Sequence, residues 1–344
     1  MPSSRLANPQ TGPINTMPKQ QRGMALVIAI WVLSLLSLMA GSFALSMRRE
    51  SSVASALKNN AQARALTETG LTLANYRLNQ SDPTLRWLAD GTPYQIVKSD
   101  GSIIRMRITS EAGKIDINTA KESYLSAVLK TVSNDSWEQQ HLLNCILDWR
   151  DEDNEHRPHG AEKKQYQEAG LAYGPANRAF QNLEELQLVL GIEPEIYQQM
   201  QTWLTVYSGQ ADVKLEEATP EVLQIISNEL GDNNIQNQAL QRLQGNKSET
   251  PTQSSPADQN GQLNADDGQN GQNGNQIYTI EVEAIMESGA TASLAAVVKL
   301  SAPEQSSGVR QVLDWKQDQL QVSLFADTME SRLITIQDEF TIDN

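Results

Sequence analysis

Cysteine is almost missing: one residue in 344, Cys145. A lone thiol excludes an internal disulfide framework and any multi-cysteine zinc site. Its neighbours, Leu142-Leu143-Asn144-Cys145-Ile146-Leu147, make it read as a small buried hydrophobe on a helix. Histidine is scarce too, at three residues, which argues against zinc. Positive charge is in deficit: 27 Lys and Arg against 42 Asp and Glu leave a net charge of −15. Nucleic-acid phosphates demand Lys and Arg, so an acidic chain fits them poorly. Anionic lipid would not hold it peripherally either, so any membrane link has to be hydrophobic. No Ser-His-Asp, phosphate-loop or zinc motif suggests an enzyme.

What the chain does have is one long apolar run. Lys19-Gln20-Gln21-Arg22-Gly23 leads directly into Met24-Ala25-Leu26-Val27-Ile28-Ala29-Ile30-Trp31-Val32-Leu33, and no charge follows until Arg48. One membrane helix needs about 20 such residues. A secretory signal has a shorter apolar core followed by a small-residue cut site. Here a cut fits better before the apolar block, between Gly23 and Met24, which makes residues 1–23 a removable leader. An ordinary signal anchor is the plainer alternative. Flanking charge does not set the orientation, because Arg5, Lys19 and Arg22 precede the run and Arg48, Arg49 and Lys58 follow it. Val53, Leu57, Ala61, Ala65, Gly70 and Leu73 keep helical spacing, and Asp82-Pro83 is a stop. A helix over 24–80 would be on the order of 80 Å long at 1.5 Å per residue.

Beyond it, 94–98 and 103–108 read as strands of a hairpin around Asp100-Gly101, since Gly accepts positive φ. Ile115-Asp116-Ile117-Asn118-Thr119-Ala120 then opens a helical run through Leu129, with Asn118 or Thr119 as its cap. A weak repeat of 115–125 begins at Val213, where Thr219-Pro220 forms a cap and first-turn pair. Helices are expected over 137–149, 182–190 and 195–207. Residues 245–276 are dominated by Gly, Asn, Gln, Ser and Asp and cannot bury enough apolar surface to order themselves. Strands follow at 278–286, 292–300 and 309–316, and 333–336 could add a short one.

Asp151, Asp153, Glu155 and Glu162 fall at relative positions 1, 3, 5 and 12, the side-chain ligand positions of an EF-hand loop. Hard oxygen ligands at this density suit Ca²⁺. The loop is not an EF-hand, because His156 holds the turn position that needs Gly and Pro158 interrupts it. A solvated acidic loop is the competing reading. Zinc through His156 and His159 ranks low, with no Cys nearby.

The basic-Gly-apolar junction resembles the class III signal of type IV pilins and type II secretion pseudopilins. Ile28 stands where most of them carry Glu, and the minor pseudopilin K family resembles this chain in lacking it. Ile117-Asn118-Thr119-Ala120, the stretch from Ile146-Leu147-Asp148-Trp149-Arg150-Asp151 to Arg157-Pro158-His159-Gly160-Ala161-Glu162, and Ala176-Asn177 through Phe180 with Leu183-Glu184-Glu185-Leu186 also resemble that family. Glu216-Glu217-Ala218 departs from its second "NTA" segment.

The resemblance implies an α+β fold: a pilin-like long N-terminal helix, an antiparallel β-sheet head and a large inserted α-helical domain. The expected parts are a leader (1–23), the transmembrane half of the helix (24–47), its continuation with the first strands (48–110), the insertion (111–243), a disordered polar loop (244–276), the remaining strands (277–316) and an acidic tail (317–344). It further implies cleavage by prepilin peptidase after Gly23 with methylation of Met24. It implies calcium in the insertion, with Asp148 and Glu184 as extra candidate ligands. It also implies an inner-membrane anchor with a periplasmic head, partnership with minor pseudopilins I and J, and a capping role at a pseudopilus tip with no enzymatic step. A helix-hairpin-helix-type binding module on a signal-anchored periplasmic protein is the alternative, suggested by the segment around Leu190-Gly191. That motif needs a Gly-rich hairpin and basic side chains, and Leu190-Gly191-Ile192-Glu193 offers one Gly and an acid.

Overall fold

A computed structural model describes residues 21–80, 82–243, 276–300, 311–318, 320 and 323–336. The expected leader up to residue 20, nearly all of the polar loop (244–275) and the last eight residues lie outside the described residues. The chain divides into two compact units, Met1–Lys58 and Asn59–Asn344.

In the first unit the chain is helical from Gln21, three residues before the expected start. It belongs to α1 (Gln21–Leu78). Every side chain from Met24 to Lys58 is exposed, including Leu33, Leu36, Phe43, Val53 and Leu57. This part of α1 is long and apolar enough to cross a membrane.

In the second unit the last turns of α1 bury Ala74 and Leu78 against a sheet. The sheet contains β1 (Asp90–Val97), β2 (Ile103–Ser110), β5 (Gln276–Ile285), β6 (Thr291–Leu300), β7 (Gln311–Gln317) and β8 (Ile334–Ile336), in the order β7-β6-β5-β2-β1-β8. Neighbours are antiparallel except β1 and β8, which run parallel. Alternation sorts the two faces. Ile104, Met106, Ile280, Val282 and Ala296 face the α1 core, while Arg105, Arg107, Thr279, Glu281 and Glu283 occupy the alternate positions. Gly70 lets helix and sheet approach closely, since a Cβ there would stand 2.6 Å from Val282 Cγ1. The β1–β2 turn forms as expected: Gly101 has φ +78° and Asp100 Oδ1 accepts from Ser102 N at 2.9 Å.

Between β2 and β5 the chain builds a second, separate core. Its elements are β3 (Ile115–Asp116), α2 (Glu122–Val132), α3 (Ser136–Arg150), α4 (Lys163–Glu168), α5 (Pro194–Met200), β4 (Leu204–Thr205), α6 (Pro220–Leu230) and α7 (Asn233–Leu243). Leu125, Leu129, Leu142, Ile146, Tyr166, Leu186, Met200 and Leu223 are fully buried in it. Three expectations need correction here. The 195–207 helix stops at Met200, because Leu204 and Thr205 pair in parallel with Ile115 and Asp116. The 182–190 helix is a single 3-10 run over Leu183–Leu188, capped by Asn182. Neither Asn118 nor Thr119 caps α2, whose N-cap is Lys121 without a side-chain bond. Asn118 instead exchanges two hydrogen bonds with the Phe180 backbone, at 2.8 and 2.9 Å, and Thr119 donates to Gln210 O. Tertiary partners have outcompeted the local cap. Thr219 does cap α6, accepting from Val222 N, with Pro220 in the first turn.

The C-terminal segment 323–336, with α8 (Asp327–Glu330), forms a clasp over the polar face of the sheet. Arg105 donates to Gln95 Oε1, Leu324 O and Glu330 Oε1 at 2.7, 3.0 and 2.6 Å, and its guanidinium lies 4.3 Å from the Phe325 ring centre. Glu283 accepts from Ser323 Oγ and Leu324 N. Arg332 reaches Glu221 of α6 and Gly91 O. A cavity of about 440 Å³ lies between sheet and insertion, walled by Arg107, Glu111, Lys114, Tyr207 and Lys316 among others.

Candidate metal centre

The acidic loop joins α3 to α4. Asp135 caps α3 by accepting from Trp137 N, and Asp151 closes its C-terminus, donating its own N–H to Leu147 O. Glu162 occupies the N-cap of α4, where its N–H donates to Gln165 Oε1 at 3.0 Å. The two helix ends therefore aim Asp151 and Glu162 at one point.

Asp151, Asp153 and Glu162 each place a carboxylate oxygen within 4.8 Å of the others. Glu162 is only 5% exposed, Asp151 is half-buried and Asp153 is exposed. Burial lifts the Glu162 carboxyl above its ordinary range, and the charges of Asp148, Asp151 and Asp153 add to that. Asp151 Oδ1 is buried without a hydrogen-bond partner, and the buried Glu162 carboxylate faces the first-turn amides of α4 as half of a capping box with Gln165. Unpaired buried acceptors are rare in folded proteins and call for an explanation. Three carboxylates converging on one point, with an unpartnered oxygen among them, are what a hard cation requires.

The remaining sequence candidates lie elsewhere. Glu155 is exposed and stands outside the converging group; its N–H donates to Asp153 Oδ1 at 2.8 Å. Asp148 is fully buried and bonded to Arg157. Glu184 pairs with Lys316 of β7. His156 is exposed, and the His159 carbonyl accepts from His141 Nδ1. Sequence reasoning missed Asn177. It has φ +48°, its Nδ2 donates to Asp153 O at 2.6 Å, and its Oδ1 is buried without a partner. The only sequence signal was its place in the Ala176-Asn177 motif.

Cys145 is fully buried, and burial, reinforced by Asp148, pushes its thiol up to about 12. The small-hydrophobe reading agrees with that environment. Around Gly191 the structure places a 3-10 run and the seven-residue α5, with Glu193 at the N-cap of α5. An acid at that helix start opposes phosphate.

Residues 104–209 match the family model described as type II secretion system (T2SS), protein K. Type II secretion system protein K of Klebsiella pneumoniae is 22% identical over 205 residues, covering 54% of this chain and 62% of its own. A putative type II secretion system protein K of Escherichia coli K12 is 26% identical over 211 residues, covering 55% and 64%. The corresponding Pseudomonas aeruginosa protein is 26% identical over 147 residues, covering 40% and 43%. The matches thus span less than two thirds of these relatives. Among solved structures, the GspK-GspI-GspJ complex of the enterotoxigenic E. coli type 2 secretion system contains a similar chain, with a TM-score of 0.46 and 11% identity, covering 80% of this chain and 99% of that one.

Proposed function

We propose that this chain, whose residues 104–209 match the family model described as type II secretion system protein K, is a minor pseudopilin capping the tip of a type II secretion pseudopilus, supporting export of folded proteins across the outer membrane. The family match is the observation that carries the reading, and the exposed apolar half of α1 supports it. The anchor sits in the inner membrane and the head in the periplasm. Prepilin peptidase cuts after Gly23, and Met24 becomes the methylated N-terminus. Ile28 supports the tip position: an interior subunit needs an acid to neutralise its neighbour's amine in lipid, where an unpaired charge costs several kcal/mol. A terminal subunit has one neighbour fewer. The bulk of the 111–243 insertion opposes addition of a further subunit. The role is assembly, with no enzymatic step.

The partners are minor pseudopilins I and J, met along the exposed face of α1. Cysteines placed singly along 53–73 test this. They are expected to crosslink to I and J; self-pairs in long ladders would make the chain a filament subunit instead.

The acidic loop holds calcium. Asp151, Asp153 and Glu162 would bind it, and Asn177 steadies the loop beside them by donating Nδ2 to the Asp153 carbonyl. The unpartnered buried oxygen of Asp151 supports this reading. When bound, the ion supplies charge neutralisation that lets three carboxylates stay together. Calcium binding only the folded state raises its stability by RT ln(1 + [L]/Kd). Melting the chain with Ca²⁺ and with chelator should give the higher transition with Ca²⁺; equal temperatures would return the cluster to a solvated loop.

A further inference from the structure

The fully buried carboxylate of Asp148, in the last turn of α3, takes both of its oxygens' partners from one residue. Oδ1 accepts from Arg157 Nη1 at 2.7 Å, and the Arg157 backbone N–H approaches Oδ2 at 3.1 Å and Oδ1 at 3.3 Å. Gly160 covers the same carboxylate: a Cβ on it would collide with Asp148 Oδ2. Its N–H returns to Arg157 O at 2.8 Å, closing the turn. Arg157 does a second job with the same Nη1, which also donates to Asp151 Oδ2. That leaves Asp151 Oδ1 as the oxygen without a partner, and it is buried. Asp151 is therefore divided, one oxygen on the guanidinium and one left for the converging group with Asp153 and Glu162.

We propose that Asp148 and Arg157 are the frame of the acidic loop: positioning residues that hold Asp151 in its ligating pose, with Asp148 not itself a ligand. This rests on the calcium reading above. The chemistry is that of outer-shell partners, which orient first-shell carboxylates through hydrogen bonds. Both Asp148 oxygens already accept from Arg157, and Gly160 packs closely over Oδ2. Arg157 in turn spans the loop, tying its second half (157–160) back to the end of α3. Such a span stands the loop up before any cation arrives and lowers the ordering cost of binding.

A positive charge beside a cation site makes the sign of the effect informative. By charge alone, removing Arg157 should tighten calcium binding. If Arg157 positions Asp151, removing it should weaken binding. The test is calcium titration calorimetry on the full chain in detergent micelles, with melting in chelator alongside. The variants are Asp148→Asn, Arg157→Gln and the double variant. Each single change is expected to weaken calcium binding about 10–100-fold. The double change should be no worse than the weaker single, because both break one unit. Arg157→Lys, which keeps the charge without the fork, should recover part of the affinity; it also supplies the measurement if Arg157→Gln does not fold. Binding as tight or tighter in Arg157→Gln, or strictly additive losses in the double variant, overturns this proposal. A wild-type chain that takes up no calcium overturns the calcium reading and this proposal with it.

Discussion

Arg107 and Glu281 face each other across β2 and β5, 2.6 Å apart, with side chains 18% and 16% exposed. Burial works to raise the Glu281 carboxyl, but the Arg107 guanidinium outweighs it, and the net shift is downward. A lowered carboxyl stabilises the fold above the ordinary glutamate range and loses that contribution as pH falls through its lowered value. The sheet should therefore lose stability below about pH 4. Glu281→Gln leaves Arg107 buried without its countercharge and should cost roughly 3 kcal/mol at neutral pH. It should also flatten the acid limb of the stability–pH curve. Urea titrations across pH check both; a curve unchanged in height and shape would remove this pair from the energetics. None of this pairing was legible from the sequence. Arg107 and Glu281 are 174 positions apart, and alternation gave only their strands.

At the scale of elements, what was legible followed local rules. The β1–β2 hairpin rests on Asp100-Gly101 and α6 on Thr219-Pro220. Each is decided within a few residues, so spacing and turn chemistry suffice. What was not legible depended on distant partners. The strand at Leu204–Thr205 exists because Ile115 N donates to Trp203 O and Ile117 N to Thr205 O, and those bonds end the helix expected there. Asn118 abandons the helix start for Phe180. The short strand expected at 333–336 is present as β8, but its clasp was not foreseen, since Arg105 and Leu324 meet only in the fold. Arg105→Ala should cost about 2 kcal/mol, from lost hydrogen bonds to a charged group. It should also let the β8 amides, Ile334–Ile336, exchange faster. Hydrogen exchange is the readout. Unaltered exchange at β8 would show that the clasp holds by other contacts.

At the scale of the molecule, the second unit has two cores. One lies between α1 and the sheet and the other inside the helical insertion. A cavity and ion pairs such as Lys316–Glu184 and Arg332–Glu221 lie between sheet and insertion. The long helix, the strands and the helices of 111–243 were readable from their own periodicity; their assembly into an α+β head with an insertion came from the resemblance, and the parallel β8 edge was not foreseen. The candidate site was partly readable. The 1, 3, 5, 12 spacing picked the residues, and the fold brings three of them together while Glu155 turns to solvent. Asn177, from a separate turn that spacing could not reach, holds the Asp153 backbone carbonyl beside the group. The central claim is that the chain enters the membrane as a processed pseudopilin. Mass spectrometry of the mature N-terminus tests it most directly. The account predicts a chain beginning at an N-methylated Met24. A chain that still begins at Met1, or one cut after Ala40 or Ala44, would contradict it.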